Sequence, residues 1–347
     1  MDKKKVVIGM SGGVDSSVSA YLLKKAGYEV LGVTLNHKRN SDLEKEVEAA
    51  KGVADFIGIK HIEVDIAEIF EHEVINPFID GYSKGITPSP CVICDERVKY
   101  KIFFDIADRY GAYYVATGHY CSVEYNSKHK KYLLKVAKDI KKDQSYMLSR
   151  LDTEKLQRLL FPLERYTKSE IREIAKEAKL EVAEKKDSQG ICFAKEGYLE
   201  FLKKNLDTKI VKGNFVDKDG VILGQHEGYQ LYTLGQRRGL NLKKPRPYFI
   251  IKINPEKNEI VLGEYEDLTV KEVKLLEYKE AVSLNELQNK VLLGRPRFSS
   301  TGALGTIEKR DGEVYFKYLE GNKHSAPGQH LVIYEDGFVL GSGIISY

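Results

Sequence analysis

The β-branched run Val6-Val7-Ile8 leads into Gly9-Met10-Ser11-Gly12-Gly13-Val14-Asp15-Ser16-Ser17, and apolar residues at helical spacing (Val18, Tyr21, Leu22, Leu23) follow at once. A strand that feeds a helix through two glycines presents bare backbone N–H groups and short hydroxyls at a helix N-terminus. The first N–H groups of a helix lack partners and its dipole favours negative charge there, so this turn suits phosphate. Gly12 and Gly13 let the main chain approach a ligand with no Cβ in the way. No lysine follows them, which excludes the GxxxxGK(S/T) loop of ordinary P-loop NTPases. A strand–loop–helix opening of this kind fits a parallel sheet whose ligand crevice lies at the carboxyl ends of its strands.

The six positions Ser-Gly-Gly-x-Asp-Ser resemble the signature of the PP-loop ATP pyrophosphatases, which adenylylate a substrate and release pyrophosphate. The rest of the first half agrees with such a fold. Strands are predicted over 28–35, 61–66 and 112–117. Helices are predicted behind the capping box Ser41-Asp42-Leu43-Glu44, over Arg97 to Arg109, and behind a second capping box, Thr167-Lys168-Ser169-Glu170. Alternating strands and helices imply a doubly covered parallel sheet. From about Gly213 the texture changes to short β-rich runs punctuated by Asp219-Gly220, Asp311-Gly312 and Asp336-Gly337, each a hairpin signal. The expected architecture is α/β: a PP-loop (adenine nucleotide alpha hydrolase-like) parallel-sheet domain over 1–207, a small central β-rich domain over 208–269, and a C-terminal β-barrel over 270–347.

With 347 residues, 42% hydrophobic and 31% charged, the chain has ample core for more than one domain. No apolar run reaches the ~18–20 residues that span a bilayer. Met1-Asp2-Lys3-Lys4-Lys5 runs straight into a strand, so no secretory leader is expected. Four cysteines in such a chain point to the reducing cytoplasm, where a Cys pair is more often catalytic or metal-binding than structural. A net charge of +4 permits a polyanionic partner without demanding one.

Cys91 and Cys94 lie in Pro88-Ser89-Pro90-Cys91-Val92-Ile93-Cys94, just ahead of a helix, where a thiol is expected to be more acidic and more nucleophilic. Cys192 lies in a distant loop, Asp187-Ser188-Gln189-Gly190-Ile191-Cys192-Phe193, and Cys121 reads as a small buried hydrophobe. Four chemistries compete for Cys91, Cys94 and Cys192. A structural zinc site lacks a fourth ligand. A thioredoxin-like dithiol would leave Cys192 unused. A persulfide relay would bring thiols from two loops over one substrate. An iron–sulfur cluster on three thiolates would leave one iron open for sulfide.

Seven segments in order then resemble the tRNA-specific 2-thiouridylases of the MnmA type: GMSGGVDSS at 9–17, PSPCVIC at 88–94, ATGHY at 116–120, KDQSYML at 142–148, DSQGICF at 187–193, YTLGQRRGL at 232–240 and APGQH at 326–330. The resemblance implies a tRNA-uridine 2-sulfurtransferase that activates the wobble uridine with ATP and Mg²⁺ and replaces its 2-oxygen with sulfur. It implies an ATP site at Gly9, Met10, Ser11, Gly12, Gly13, Val14, Asp15 and Ser16, with Leu35 and Gly118. Cys94 would be the nucleophile and Cys192 the persulfide carrier, the two passing through a disulfide. Ser89, Pro90 and Cys91 would face the target base, and His119, Lys142, Asp143, Gln144, Arg295, Pro296 and Gln329 would contact tRNA.

The chain departs from the family pattern in four places. Ser89-Pro90-Cys91 replaces Asn-Pro-Asp or Asn-Pro-Cys, Asp95 replaces Asn, Leu35 replaces Met, and Arg295-Pro296-Arg297-Phe298 replaces Arg-Tyr-Arg-Gln. Cys91 removes a carboxylate and completes a three-thiolate set, which keeps a 4Fe–4S cluster on Cys91, Cys94 and Cys192 as the alternative to the persulfide. Asp15 reads equally as a Mg²⁺ ligand or as a helix-capping carboxylate.

A base that reacts in such a crevice must leave its stack. Basic and aromatic residues that could grip the anticodon arm are Lys128, Lys130, Lys131, Tyr132, Lys141, Lys142, Arg237, Arg238, Lys243, Lys244 and Arg246. A cysteine desulfurase, a relay protein or free sulfide would supply sulfur. Other PP-loop enzymes, such as tRNA lysidine synthetases, share the glycine loop but need no Cys91-x-x-Cys94 with a distant Cys192. A non-catalytic tRNA-binding protein would need neither.

Overall fold

The computed structural model describes residues 1–38, 42–186, 190–206, 209–242 and 247–347. Ser41, Asp187 to Gln189 and Lys243 to Arg246 therefore lie outside the described residues. The chain forms two compact units, one of Met1–Val74, Cys91–Phe193 and Asp336–Val339, the other of Ile75–Pro90, Ala194–Glu335 and Leu340–Tyr347.

The first unit is built on a five-stranded sheet. β1 (Asp2–Gly9) lies between β2 (Glu29–Asn36) and β4 (Ala112–Ala116), with β3 (Lys60–Asp65) outside β2. The hairpin of β5 (Cys121–Asn126) and β6 (Lys131–Val136) follows, and the two-residue β7 (Leu159–Leu160) closes the order β3-β2-β1-β4-β7. All of the sheet's pairings are parallel. Val6, Val7 and Ile8 are fully buried, as the central strand of a sheet covered on both faces requires. Helix α1 (Val14–Lys25) packs Val14, Val18 and Leu23 into the core, and α2 (Asp42–Ile57) adds Ala50, Val53 and Ala54. The order reverses between β1 and β4, so the crevice opens where their carboxyl ends part.

Ahead of β4 the helix expected over Arg97 to Arg109 is longer and irregular. A short helix Pro90–Cys94 runs into a π-helical turn, Asp95–Lys99, and then into an α-helix, Tyr100–Tyr110, closed by Gly111 in the left-handed conformation. Periodicity alone locates the amphipathic stretch but not an inserted residue, and π turns gather at functional sites. The capping box at Thr167 forms as expected: Glu170 reaches back to the Thr167 N–H, and the Thr167 hydroxyl accepts from the Glu170 N–H.

The second unit is β-rich. β8 (Gly213–Val216), β9 (Ile222–His226), β10 (Phe249–Asn254) and β11 (Glu259–Gly263) form a sheet around Phe215, Ile250, Ile260 and Leu262. β12 (Val270–Glu280), β13 (Leu292–Arg295), β14 (Ala303–Arg310), β15 (Glu313–Asn322), β16 (His330–Glu335) and β17 (Phe338–Ser346) close into a six-stranded barrel through the β12–β17 pairing. The turns at Asp311-Gly312 and Asp336-Gly337 have positive φ at both residues (51° and 84°, 51° and 78°), the two-residue geometry that matches strand twist. Asp219-Gly220 sits in a longer turn, held by the Asp217 carboxylate accepting from the Asp219 and Val221 N–H groups.

Candidate active site

A cavity of about 360 Å³ opens at the carboxyl end of the first unit's sheet. Its floor is the end of β1 and the glycine loop (Gly9, Met10, Ser11, Asp15, Ser16), and one side is the end of β2 with Leu35. Thr117, Gly118 and His119 after β4 form another side, and Cys94, Lys99, Gln144 and Cys192 complete the wall. Such a volume suits a ligand of moderate size.

The loop is held in shape by its own groups. The Ser11 N–H donates to the Ser16 hydroxyl at 3.1 Å, and the Ser16 hydroxyl donates to the Gly13 carbonyl at 3.3 Å. Gly13 stands at the N-cap of α1 with no side-chain cap bond, which leaves the first turn without a side-chain acceptor. The two glycines differ. Gly12 has φ +64°, and a Cβ there would lie 2.4 Å from the Glu46 carbonyl oxygen, so the fold itself demands glycine. At Gly13 the nearest atom to a Cβ would be the Ser11 Oγ, 3.5 Å away. Gly118 packs onto this turn so closely that a Cβ would meet the Ser16 nitrogen at 2.8 Å. Val14 is a core residue, and Gly12, Gly13 and Val14 stand outside the cavity lining proper.

Asp15 is no helix cap. Lys168 donates to both of its carboxylate oxygens at 2.8 Å, and the Tyr120 hydroxyl donates to Oδ1 at 2.7 Å. Lys185 donates to the Gly12 carbonyl at 2.9 Å. Two lysines from beyond residue 160 thus supply the charge that the loop's own sequence lacks. Composition gave no hint of either, although Lys168 sits inside the capping-box signal.

All four cysteines are unpaired thiols: Cys91 half-buried, Cys94 and Cys121 buried, Cys192 exposed. The expectation of acidic thiols fails. Burial pushes Cys91 up to about 11 and lifts Cys94 and Cys192 above the usual thiol range, each against the pull of the Lys99 ammonium. Cys192 is exposed as a residue, yet its side chain lies along the cavity wall among protein atoms, and that crowding dominates. The helix at Cys91 is only five residues long, too short for its dipole to offset desolvation. Among the described residues no three His, Cys, Asp or Glu side chains are grouped to hold a metal ion.

Lys99 was missed in the sequence. Its ammonium pairs with the Asp95 carboxylate at 2.6 Å, one helical turn away. Burial works against that charge, but Asp95 outweighs it and holds Lys99 above the usual lysine range. His119 accepts or donates at Nδ1 with the Thr117 hydroxyl at 2.8 Å and the Tyr100 hydroxyl at 3.2 Å. Burial, opposed by Asp95, drops it to about 4, so the ring is neutral near pH 7.

The remaining expected contacts divide. Gln144 lines the cavity and clamps Tyr120, its carbonyl accepting from the Tyr120 N–H at 3.0 Å. Asp143 is buried and accepts from Ala137, from the Ser145 N–H and from the Ser145 hydroxyl, so its carboxylate holds the turn together; Lys142 beside it is half-exposed. Within the second unit, Gln329 donates to the Thr87 and Pro88 carbonyls at 2.8 and 3.3 Å, which fixes the backbone just before Ser89 and Pro90. Arg295 donates to the Ser300 and Phe298 carbonyls and Pro296 is buried, whereas Arg297 and Phe298 are exposed. Among the described residues no helix is long and apolar enough to cross a membrane.

Comparison with known proteins gives three consecutive family matches: a tRNA methyl transferase HUP domain over residues 4–196, a tRNA methyl transferase PRC-barrel domain over 199–264, and an aminomethyltransferase beta-barrel domain over 266–345. The tRNA-specific 2-thiouridylase MnmA 2 of Fusobacterium nucleatum is 59% identical over 342 residues, 99% of each chain. MnmA 1 of Caldanaerobacter subterraneus is 41% identical over 355 residues, covering 98% of this chain and 97% of that one. Among solved structures, the U34-tRNA thiolase NcsA of Methanococcus maripaludis is a looser likeness, with a TM-score of 0.37 and 21% identity over 60% of this chain and 69% of that one.

Proposed function

The chain belongs to the tRNA-specific 2-thiouridylase (MnmA) family, and from that premise we propose how its residues divide the work. It is a tRNA sulfurtransferase that uses ATP to put sulfur at the 2-position of a uridine. In our reading the glycine loop and the uncapped first turn of α1 hold the triphosphate, Gly118 closes the loop from above, and Leu35 borders the adenosine. The target uridine is the wobble base, flipped into the cavity from the anticodon arm. Its O2 attacks the α-phosphorus, a P–O bond breaks, and pyrophosphate leaves from the loop. Sulfur then takes the place of the activated oxygen. Cys192 receives it from a donor as a persulfide, and Cys94 releases it by attacking the inner sulfur, which leaves a disulfide for a later reductant.

A Mg²⁺ ion arriving with ATP would neutralise phosphate charge. Asp15 is the acidic group at the loop, and the ion would compete with Lys168 for it. Ser89, Pro90 and Cys91 are assigned to the base, and His119, Lys142 and Gln144 to the RNA around it. Because His119 is neutral, its contact is a hydrogen bond or a ring contact and not a phosphate ion pair. Arg295, Pro296, Asp143 and Gln329 act in this scheme by shaping the loops that meet RNA. We keep the domain limits 1–207, 208–269 and 270–347, and place the enzyme in the reducing cytoplasm.

One observation carries the reading: Ser11, Asp15 and Ser16, Gly118, Cys94 and Cys192 line one cavity. The test is nucleoside mass analysis of unmodified tRNA after incubation with ATP, Mg²⁺ and a sulfide or persulfide donor. 2-Thiouridine at the wobble position that depends on ATP is expected. A methylated nucleoside, or sulfur incorporated without ATP, would refute it.

A further inference from the structure

Thiolation of an adenylylated base has a second charge problem, separate from holding the triphosphate. When sulfur displaces the activated oxygen, AMP leaves as a phosphate monoester, and its extra negative charge appears beside the thiols. In the reading above, pyrophosphate belongs to the N–H groups of the loop, where Lys168 binds Asp15 and Lys185 binds the Gly12 carbonyl. Among the described residues that line the cavity, Lys99 is the sole lysine or arginine. Asp15 and Glu46, which also line the cavity, are acidic.

The local fold presents Lys99 to the cavity deliberately. A π-helical turn spans Asp95–Lys99, between the helix that carries Cys91 and Cys94 and the helix Tyr100–Tyr110. The wider turn rotates the residues on either side relative to a continuous α-helix. Asp95 is 1% exposed and pairs with the Lys99 ammonium at 2.6 Å, whereas the Lys99 side chain remains 35% exposed. A buried carboxylate thus fixes a lysine that lines the cavity and has two further N–H donors.

We propose that Lys99 binds the phosphate that joins AMP to uridine O2 and takes up the charge that gathers on AMP as sulfur displaces it. The proposal rests on the adenylylation reading above. In the step, a hydrosulfide equivalent adds to C2 with its own electron pair. The C2–O bond breaks, and its pair stays on the oxygen that departs with AMP. N3 gives up its proton to solvent when O2 is adenylylated, and the sulfur's proton replaces it there. Asp95 is a positioning residue in this scheme, and Lys99 touches the leaving group.

The test separates the two half-reactions in Lys99→Met, Lys99→Arg and the double variant Asp95→Asn/Lys99→Met, with unfolding temperature as the check on folding. With label in the α-phosphate of ATP, Lys99→Met is expected to slow tRNA-dependent pyrophosphate release far less than thiolation, by about tenfold or less. Label should accumulate on tRNA while 2-thiouridine formation falls about 100-fold, the usual cost of a lost charge-stabilising donor. Lys99→Arg should recover at least about a tenth of the thiolation, because a cation is restored. The double variant should stay as defective as Lys99→Met. If the double variant regains thiolation, Lys99 only neutralises a buried carboxylate and the proposal is overturned. It is also overturned if pyrophosphate release falls in step with thiolation, or if thiolation is unaffected. If the unaltered enzyme releases no pyrophosphate with tRNA, the adenylylation reading itself has failed.

Discussion

In the glycine loop, Ser11 and Ser16 bond to each other and to backbone, Lys168 and Tyr120 grip Asp15, and Lys185 holds the Gly12 carbonyl. Across the cavity stand Cys94 and Cys192, from two segments far apart in sequence, with Cys91 one helical turn before Cys94; burial keeps all three protonated, although Cys192 is exposed as a residue. One end is preorganised before any ligand arrives. The other end carries thiols that burial holds in their protonated form. This ordering makes chemical sense, because a reactive thiolate open to solvent would oxidise, whereas a phosphate cradle in solution does no harm.

The sharpest way to break that contrast is to remove the thiols one at a time. Cys94→Ala and Cys192→Ala should each lower thiolation about a thousandfold or more while ATP affinity stays within about threefold. ATP affinity falling in parallel would mean that the two ends are not separate. Cys91→Ala should keep persulfide-driven thiolation, and its complete loss would favour a three-thiolate cluster instead.

A smaller effect concerns His119, at the junction of the two ends. Its pKa falls from 6.5 to about 4 on folding, so the unfolded chain binds a proton that the folded chain refuses. Stability from this group is present above pH 6.5 and is lost as pH drops towards 4, a loss of about 3 kcal/mol at most. Denaturant midpoints of the unaltered protein and His119→Asn should therefore converge on acidification across that window. Parallel curves would refute the burial argument.

Much of this molecule was legible beforehand. The glycine loop is read from contiguous residues because a strand, a turn and a helix N-terminus form one local unit. The Asp-Gly hairpins are read because turn geometry is also local. Lys168, Lys185 and Lys99 were not readable in the same way. Their roles depend on which distant elements pack against the loop, and a lysine in sequence carries no sign of its eventual partner. The thiols were misread in acidity for a related reason. Proximity to a helix is visible in sequence, but the burial that outweighs it is a property of the packed wall.

The Lys168–Asp15 pair tests how much of the preorganisation is electrostatic. With side chains 14% and 33% exposed, the pair is partly sheltered, and Lys168→Met should destabilise the fold by about 1–3 kcal/mol. Asp15→Asn in the same chain should return about half of that, since the remaining polar group then carries no unpaired charge. If the double variant is no more stable than the single one, the lysine acts by packing and not by charge.

The finest distinction is between the two glycines themselves. Gly12→Ala must hold φ near +64° and force a Cβ to 2.4 Å from the Glu46 oxygen, so it should cost about 1–3 kcal/mol whether or not nucleotide is present. Gly13 has φ −96° and ψ 166°, an extended conformation that alanine accepts, with no protein atom closer than 3.5 Å to the added methyl. Gly13→Ala should leave the unfolding midpoint within about 0.5 kcal/mol of the unaltered protein, because reduced freedom in the unfolded chain offsets any small clash. Nucleotide affinity should nonetheless fall about tenfold, since the methyl would stand where phosphate meets the backbone. Calorimetric titration with ATP checks the second half and denaturant unfolding the first. Unchanged ATP affinity in Gly13→Ala would mean that the phosphates lie elsewhere on the loop, and that the open space at Gly13 is incidental to binding.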